Sequence, residues 1–258
     1  MKQNRLKVLT VDVGNTHAHF GMFEDESLTG RCDIPSGSTV KKYTEVLSKL
    51  LRCAETGVVI GSVVPPVTRA LEELLSREFS IKPLVVSHKL PLGIRICYDN
   101  PSRLGADRIA HVVGGFTLYG GPLLIVSFGT AVTFEVVSGK GDFVGGAIAP
   151  GLHTMFASLH EKTAQLPKLS REKTKKAKIG RDTESSIEFG VAHGADGAIK
   201  EIIKSLKESC RMHVRLKLVA TGGDAEYFAK RLAMFDYVNR DLTLIGLREI
   251  YERIKMKL

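Results

Sequence analysis

Two segments of this chain carry the same pattern, and the repetition limits the folds open to it. The first is Leu9 to Phe23, LTVDVGNTHAHFGMF; the second is Leu123 to Val137, LLIVSFGTAVTFEVV. In the first, Leu9, Val11 and Val13 alternate with Thr10 and Asp12, the period of a strand. Gly14-Asn15-Thr16 supply turn chemistry, a permissive backbone followed by short side chains that hydrogen-bond locally. Ala18, Phe20 and Met22 resume the alternation on a return strand. Aligning the glycines places Val126-Ser127-Phe128-Gly129-Thr130 on Val11-Asp12-Val13-Gly14-Asn15. An acidic residue just before a glycine turn reads either as part of a plain hairpin or as the holder of a hydrated divalent ion, with the turn N–H groups and hydroxyl meeting phosphate oxygens.

Helical and strand patterns alternate between the two hairpins. Val40 to Cys53 and Thr68 to Phe79 read as helices, Val58 to Val64 and Pro83 to Val86 as strands, and Cys32 to Ser38 as a loop. Such alternation predicts mostly parallel sheets covered by helices. Two α/β halves follow, an N-terminal lobe over 1–118 and a C-terminal lobe over 119–258, each within the usual size of a domain. Two lobes that each offer a hairpin to a central cleft resemble the actin, hexokinase and acetate-kinase superfamily of ribonuclease H-like domains, in which the hairpins grip the two ends of a nucleotide's phosphate chain.

The densest chemistry lies at Ile94 to Gly115, IRICYDNPSRLGADRIAHVVGG. Asn100-Pro101 is a helix-start signal, and Ala106, Ile109, Val113 and Phe116 follow helical spacing towards a core. Asp107 and Arg108 then project off that face near the first turn. Asp107 reads either as a helix-dipole partner or as a carboxylate that accepts a proton from a substrate hydroxyl, with Arg108 beside it for an anionic group. His111 reads as a half-exposed helix residue. Further on, Leu152 to Ala164 reads as a helix. Ser185 and Glu188 fit a capping box for a long helix through Leu206, whose stripe is Ile187, Val191, Ala195, Ala198 and Ile202. Val214 to Ala220 reads as a strand entering the glycine pair Gly222-Gly223, and Leu242 to Met256 as a basic amphipathic packing helix.

The chain carries 37 Lys and Arg against 28 Asp and Glu, a net charge of +9. That balance suits polyanionic ligands. Lys168 to Arg181 concentrates the excess, seven basic residues against one Glu, but no aromatic side chains interleave with it to form a base-stacking platform. It reads as a solvated loop ahead of a nucleic-acid patch. No apolar run reaches membrane-spanning length, and the short basic lead into the first strand does not read as a signal peptide. Cys32, Cys53, Cys97 and Cys210 form no CxxC or zinc pattern, so reduced thiols in a cytoplasmic protein are expected.

An ordered set of motifs resembles the type III pantothenate kinases along nearly the whole chain. It comprises Asp12-Val-Gly-Asn-Thr16-His17, Ser62-Val-Val-Pro65, Tyr98-Asp-Asn-Pro101, Gly105-Ala-Asp-Arg108, Gly129-Thr-Ala-Val-Thr133, Gly145-Gly-Ala-Ile-Ala-Pro-Gly151, Gly180-Arg-Asp-Thr183 and Thr221-Gly-Gly223. The resemblance implies ATP-dependent phosphorylation of the primary hydroxyl of pantothenate, the first step towards coenzyme A. It implies Asp107 as general base. Asp12, Val13, Gly14, Asn15, Thr16, His17, Ala18 and His19 become the phosphate loop, with Asp12 reaching Mg²⁺ through water and Thr130 touching ATP. Tyr98, Gly105, Ala106, Asp107, Arg108 and Thr183 become the pantothenate site. A homodimer and a monovalent cation, K⁺ or NH₄⁺, come with the same resemblance. One position departs from it: the family carries Asp where this chain has Ser127. A neutral hydroxyl in place of a carboxylate predicts a weakened or remodelled cation site, with Glu135 as the nearby acidic position. The competing expectation is a non-catalytic homologue that binds nucleotide or nucleic acid as a regulator.

Overall fold

The computed structural model describes residues 6–51, 56–170, 179–210 and 215–256. The core of the basic loop, residues 171–178, lies outside them, as do Cys53 and Val214. The described residues divide into two units. The first comprises Met1–Gly120, Gly141–Val144 and Asp241–Leu258, and the second Gly121–Lys140 and Gly145–Arg240.

The first unit holds β1 (Lys7–Val13), β2 (His17–Glu24), β3 (Ser27–Pro35), α1 (Val40–Leu50), β4 (Thr56–Ser62), α2 (Pro65–Phe79), β5 (Leu84–Val85), a 3₁₀ turn (Pro101–Arg103) and α3 (Ala106–Tyr119). Its strand order is β3-β2-β1-β4-β5, with β1–β2–β3 antiparallel and β4 and β5 parallel to β1. The second unit follows with β6 (Leu123–Phe128), β7 (Ala131–Val137), β8 (Phe143–Pro150), α4 (Leu152–Glu161), α5 (Thr183–Ser209), β9 (Lys217–Thr221), α6 (Ala225–Leu232) and β10 (Tyr237–Val238). The chain ends in α7 (Leu242–Lys255). The second sheet runs β10-β9-β6-β7-β8. Read as β8-β7-β6-β9-β10, it repeats the first sheet strand for strand. The molecule is thus an α/β protein built on one topology used twice, as the duplicated hairpins imply.

The period of two decides what each sheet face buries. In the first sheet Leu9, Val11, Val13, Ala18, Phe20 and Met22 join α1 and α2 in one core. In the second, Leu124, Val126, Phe128, Val132, Phe134 and Val136 pack with α4, α5 and α6. The other face of the first sheet is covered by α7, which also lies along α3. Glycines set how close these layers come. A methyl group at Gly246 would fall 1.9 Å from the Ala110 carbonyl oxygen, and one at Gly61 would fall 2.7 Å from Leu247 Cδ2.

Several expectations are corrected. Ser27–Pro35 is a strand, so Cys32 to Pro35 is not loop; Cys32 packs against the first core while Arg31 and Asp33 face the other way. The Asn100-Pro101 signal starts only the 3₁₀ turn, and α3 begins after Gly105. Arg108 and His111 are buried, 5% and 3% exposed, because Arg108 lies against Tyr98 and Phe143 and His111 meets Thr243 on α7. The capping box of α5 is made by Asp182 and Ser185, not by Ser185 and Glu188. Its buried stripe ends in Ile199 and Ile203, one residue past the expected Ala198 and Ile202. Finally, α7 was expected within the second lobe and belongs to the first unit.

Candidate active site

In the first unit the chemistry gathers where β1 ends and α3 begins. Asp12 is the penultimate residue of β1, and the turn after it is closed by a Gly14 N to His17 O hydrogen bond of 3.0 Å. The end of β3 braces this turn: Ser36 N donates to Thr16 O at 2.9 Å and Ser36 Oγ to Gly14 O at 2.6 Å. Tyr43 Oη in turn donates to Ser36 O at 3.0 Å. Asn15, Thr16 and His17 are exposed on the braced turn, while Val13 and Ala18 are core residues that hold its ends.

Asp107 occupies the first turn of α3, and its Oδ1 accepts from Arg108 N at 2.8 Å. Gly105, just ahead of the helix, makes room for this carboxylate, since a methyl group there would lie 2.3 Å from Asp107 Oδ1. Asp12 and Asp107 feel each other. Burial, then the Asp107 charge, push the Asp12 pKa up to about 6, with His19 and His111 opposing the rise. His111 itself is fixed by Nε2 to Thr243 Oγ1 on α7, 2.9 Å away.

Arg108 runs inward beside a pair of aromatic rings. Its guanidinium carbon lies 5.8 Å from the Tyr98 ring centroid and 5.3 Å from that of Phe143, and the two rings stack at 5.7 Å. Arg108 Nη1 also lies 3.5 Å from Tyr98 Oη. The backbone delivers Phe143 by pairing with the segment before Tyr98: Phe143 N donates to Arg95 O at 2.9 Å, and Cys97 N to Phe143 O at 2.8 Å. The first unit therefore brings Asp12, His19, Tyr98, Gly105, Ala106, Asp107 and Arg108 into one neighbourhood. Two partners were missed in the sequence, Phe143 and Asp33. Phe143 gives no local signal, because only tertiary pairing brings it there. Asp33 was hidden by reading its strand as a loop.

Two carboxylates whose charges repel in a half-buried place fit a divalent cation. Mg²⁺ usually takes one or two protein carboxylates and keeps its waters. Among the described residues no group of three or more His, Cys, Asp and Glu is placed to hold a metal, and a site of the Mg²⁺ kind does not need one.

In the second unit, Ser127 occupies on β6 the position that Asp12 holds on β1. It pairs with Thr133 on β7 and Thr221 on β9. The result is a row of three hydroxyls across neighbouring strands. Thr133 Oγ1 and Thr221 Oγ1 are buried with no hydrogen-bond partner among the described residues, and Glu135, two residues beyond Thr133, is fully buried. Thr130 sits in the turn between β6 and β7, tied to α4 by Gly151 N and Thr154 Oγ1, which donate to its carbonyl at 3.0 and 2.6 Å. Thr183, in the first turn of α5, lines a cavity of about 1190 Å³ with Thr154, Met155, Arg181, Asp182 and Ile187. Hydrogen bonds from the Ser185 backbone and side chain hold the capping Asp182 carboxyl below its ordinary pKa.

The chain is similar to known proteins over nearly its whole length. The family model described as type III pantothenate kinase matches residues 8–205. Two curated type III pantothenate kinases from Dehalococcoides mccartyi, strains CBDB1 and BAV1, are each 38% identical, with 97% of both chains covered. Among solved structures, a protein described as a Baf family transcriptional activator from Campylobacter jejuni superposes with a TM-score of 0.62 at 21% identity, covering 97% of this chain and all of its own. The activator of 2-hydroxyisocaproyl-CoA dehydratase from Clostridium difficile, solved with bound ADPNP, gives 0.60 at 13% identity, with 98% and 97% covered. A ROK hexokinase from Thermus thermophilus gives 0.54 at 13%, with 97% and 100% covered. These structural likenesses establish the actin- and hexokinase-like fold and no more. The family model and the curated relatives establish the rest: this chain belongs to the type III pantothenate kinase family.

Proposed function

We propose that this chain transfers the γ-phosphoryl group of ATP to the primary hydroxyl of pantothenate, with Asp107 as the general base. The observation that carries the reading is the meeting of Asp12, Asp107 and Arg108 where β1 ends and α3 begins, in a chain of this family.

Phosphoryl transfer asks a protein mainly for positioning and charge neutralisation. The turn over residues 12–19 receives the phosphates through its backbone N–H groups, and Thr130 contributes a second phosphate contact. Asp12 would hold Mg²⁺ through water, and the ion would supply neutralising charge on the phosphate oxygens. Arg108, buried beside the stacked Tyr98 and Phe143 rings, attracts the pantothenate carboxylate, and Thr183 adds a hydroxyl contact. Asp107 takes the proton of the attacking hydroxyl as its oxygen bonds to the γ-phosphorus. The bond to the β–γ bridging oxygen breaks, and ADP leaves with that electron pair. Gly105 keeps the base close to the start of the helix.

A monovalent cation, K⁺ or NH₄⁺, belongs to this reading, with Ser127, Thr133 and Thr221 as neutral oxygen donors where the family carries a carboxylate. A site without that charge binds a cation more weakly, so the dependence on K⁺ or NH₄⁺ is altered. The enzyme works as a homodimer in the cytoplasm. In support of the latter, the described helices include none long and apolar enough to cross a membrane, and the described cysteines Cys32, Cys97 and Cys210 are free thiols.

The test is a coupled assay for ADP release with Mg²⁺, ATP and pantothenate, with and without K⁺ or NH₄⁺, beside Asp107→Asn. Pantothenate-dependent turnover that falls by about 10²- to 10⁴-fold in the variant is the result expected for loss of a general base. A folded protein that binds nucleotide yet turns nothing over under any cation would overturn the proposal.

A further inference from the structure

Asp33 stands beside the phosphate turn without belonging to it. In the register of the first sheet, Asp12 lies opposite His19, and His19 lies opposite Asp33. Residues directly opposite in antiparallel strands share a face. A carboxylate, an imidazole and a second carboxylate therefore form a row across β1, β2 and β3, on the face turned away from the Leu9–Phe20–Ile34 core.

The bond within this row fixes the imidazole. Asp33 Oδ1 lies 2.8 Å from His19 Nδ1. An ionised carboxylate only accepts, so Nδ1 carries the shared proton and Nε2 is the nitrogen left for another ligand. Burial acts to raise the Asp33 pKa, but the hydrogen bond and charge of His19, followed by those of Arg31, outweigh it and hold the carboxyl below its ordinary value. Asp33 is thus ionised at neutral pH. It is itself anchored: Arg31 Nη2 lies 3.4 Å from Asp33 Oδ2, and Arg31 also pairs with Asp241 at the start of α7. His19 remains partly exposed, 35% of its side chain, and its ring stacks on that of His17 at 6.2 Å.

We propose that Asp33 is a positioning residue for nucleotide binding, holding His19 through Nδ1 so that Nε2 is presented to the phosphate chain of ATP. The inference rests on the reading of residues 12–19 as the phosphate turn. Asp33 touches neither substrate. It acts through His19 in the bound state, where the ring carries both protons, Nδ1–H donating to Asp33 and Nε2–H to a phosphate oxygen, so that the carboxylate orients the ring and balances its charge.

The experiment measures binding of ADP and of a non-hydrolysable ATP analogue by calorimetry, together with separate KM values for ATP and pantothenate. The variants are Asp33→Asn, His19→Leu, the two combined, and Asp241→Asn. Asp33→Asn removes the charge behind the ring and His19→Leu removes the ring, so a folding failure in one leaves the other informative. Each is expected to weaken nucleotide binding about tenfold, the scale of one charge-assisted hydrogen bond. The double variant should be no weaker than either single one. In Asp33→Asn the KM for ATP should rise with the Kd, while kcat and the KM for pantothenate stay within about twofold. In ¹⁵N-labelled protein, the imidazole nitrogen signals of His19 should shift in Asp33→Asn. Asp241→Asn, which loosens Arg31 without touching His19, should bind nucleotide as the parent does. Parent-like nucleotide affinity in Asp33→Asn overturns the proposal, as does an equal loss in Asp241→Asn, which would make Asp33 a mere brace for β3. An unaltered protein without pantothenate turnover, whose nucleotide affinity still drops in Asp33→Asn, would sink the kinase reading and leave this one standing.

Discussion

Replacing Gly105 by Ala tests the base without touching it. The Gly105 backbone, φ −62° and ψ 140°, is a conformation alanine adopts freely, so no backbone strain arises. The effect falls on space. The added methyl would lie 2.3 Å from Asp107 Oδ1 and 3.3 Å from Val63 Cγ1. The first distance is impossible, and the atom that must yield is the end of a side chain. Asp107 therefore rotates, giving up the 2.8 Å contact to Arg108 N. The thermodynamic cost is about one hydrogen bond, roughly 1 kcal/mol, partly offset by the reduced entropy of the unfolded chain. The melting temperature should then move by no more than about 4 °C in a chain of this size. The catalytic cost is much larger, because a base moved by an ångström or more is no longer within reach of the substrate proton. A fall of about 10²-fold in kcat is expected, at the lower end for loss of a general base, with ATP affinity unchanged. Steady-state ADP release and calorimetric ATP binding on one protein preparation decide it. A kcat within threefold of the parent in a folded Gly105→Ala protein would refute either the role of Asp107 or its confinement by Gly105.

Asp12→Asn should stabilise the ligand-free protein while abolishing activity. A folded-state pKa raised from 3.8 to about 6 means the native state binds this proton more tightly than the unfolded one. The carboxylate thus destabilises above pH 6, by about 3 kcal/mol, and not below about pH 4; urea titrations of both proteins across that window should show the gain of the variant vanish on acidification. Gly246→Ala should cost about 2–3 kcal/mol, because its methyl meets the Ala110 carbonyl at 1.9 Å and backbone cannot swing aside as a side chain can. The melting temperature should fall by about 5–10 °C, and an unchanged value would show that α3 and α7 separate freely. Ser127→Asp should strengthen activation by K⁺ or NH₄⁺ at constant ionic strength; an identical cation response would remove Ser127 from any cation site.

Much of this molecule is legible in its residues because the period of two is so regular. Leu9, Val11, Val13 and Phe20 announce a half-buried hairpin, and they form the core they predict. The second hairpin is legible for the same reason. The sequence signal fails where a tertiary partner overrides a local pattern. His111 sits off the apolar stripe of α3, and nothing nearby in sequence says that a helix more than a hundred residues later covers it. In β3, Arg31 and Asp33 alternate with Cys32 and Ile34, but Pro35, Ser36, Gly37 and Ser38 give the segment from Cys32 the composition of a loop, which hides the partner of His19. The site motifs are readable as types of residue at set spacings, whereas the aromatic pair beside Arg108 depends on Phe143, which reaches Tyr98 only through long-range pairing.

The place of α7 bears on how the protein is made. The first unit begins the chain, yet the helix that covers the second face of its sheet and steadies His111 through Thr243 is synthesised after the whole of the second unit. On the ribosome the second sheet can acquire its strands and helices while the first still shows the bare face of β1 and β4, a surface open to wrong partners in a chain that emerges at about 5–20 residues per second. The glycines at 61, 114 and 246 leave this late-arriving helix a slot already shaped to receive it. Asp107 and its neighbours at the head of α3 thus gain the support of α7 only after the second unit has been made, so that the first unit closes on a segment it must wait for.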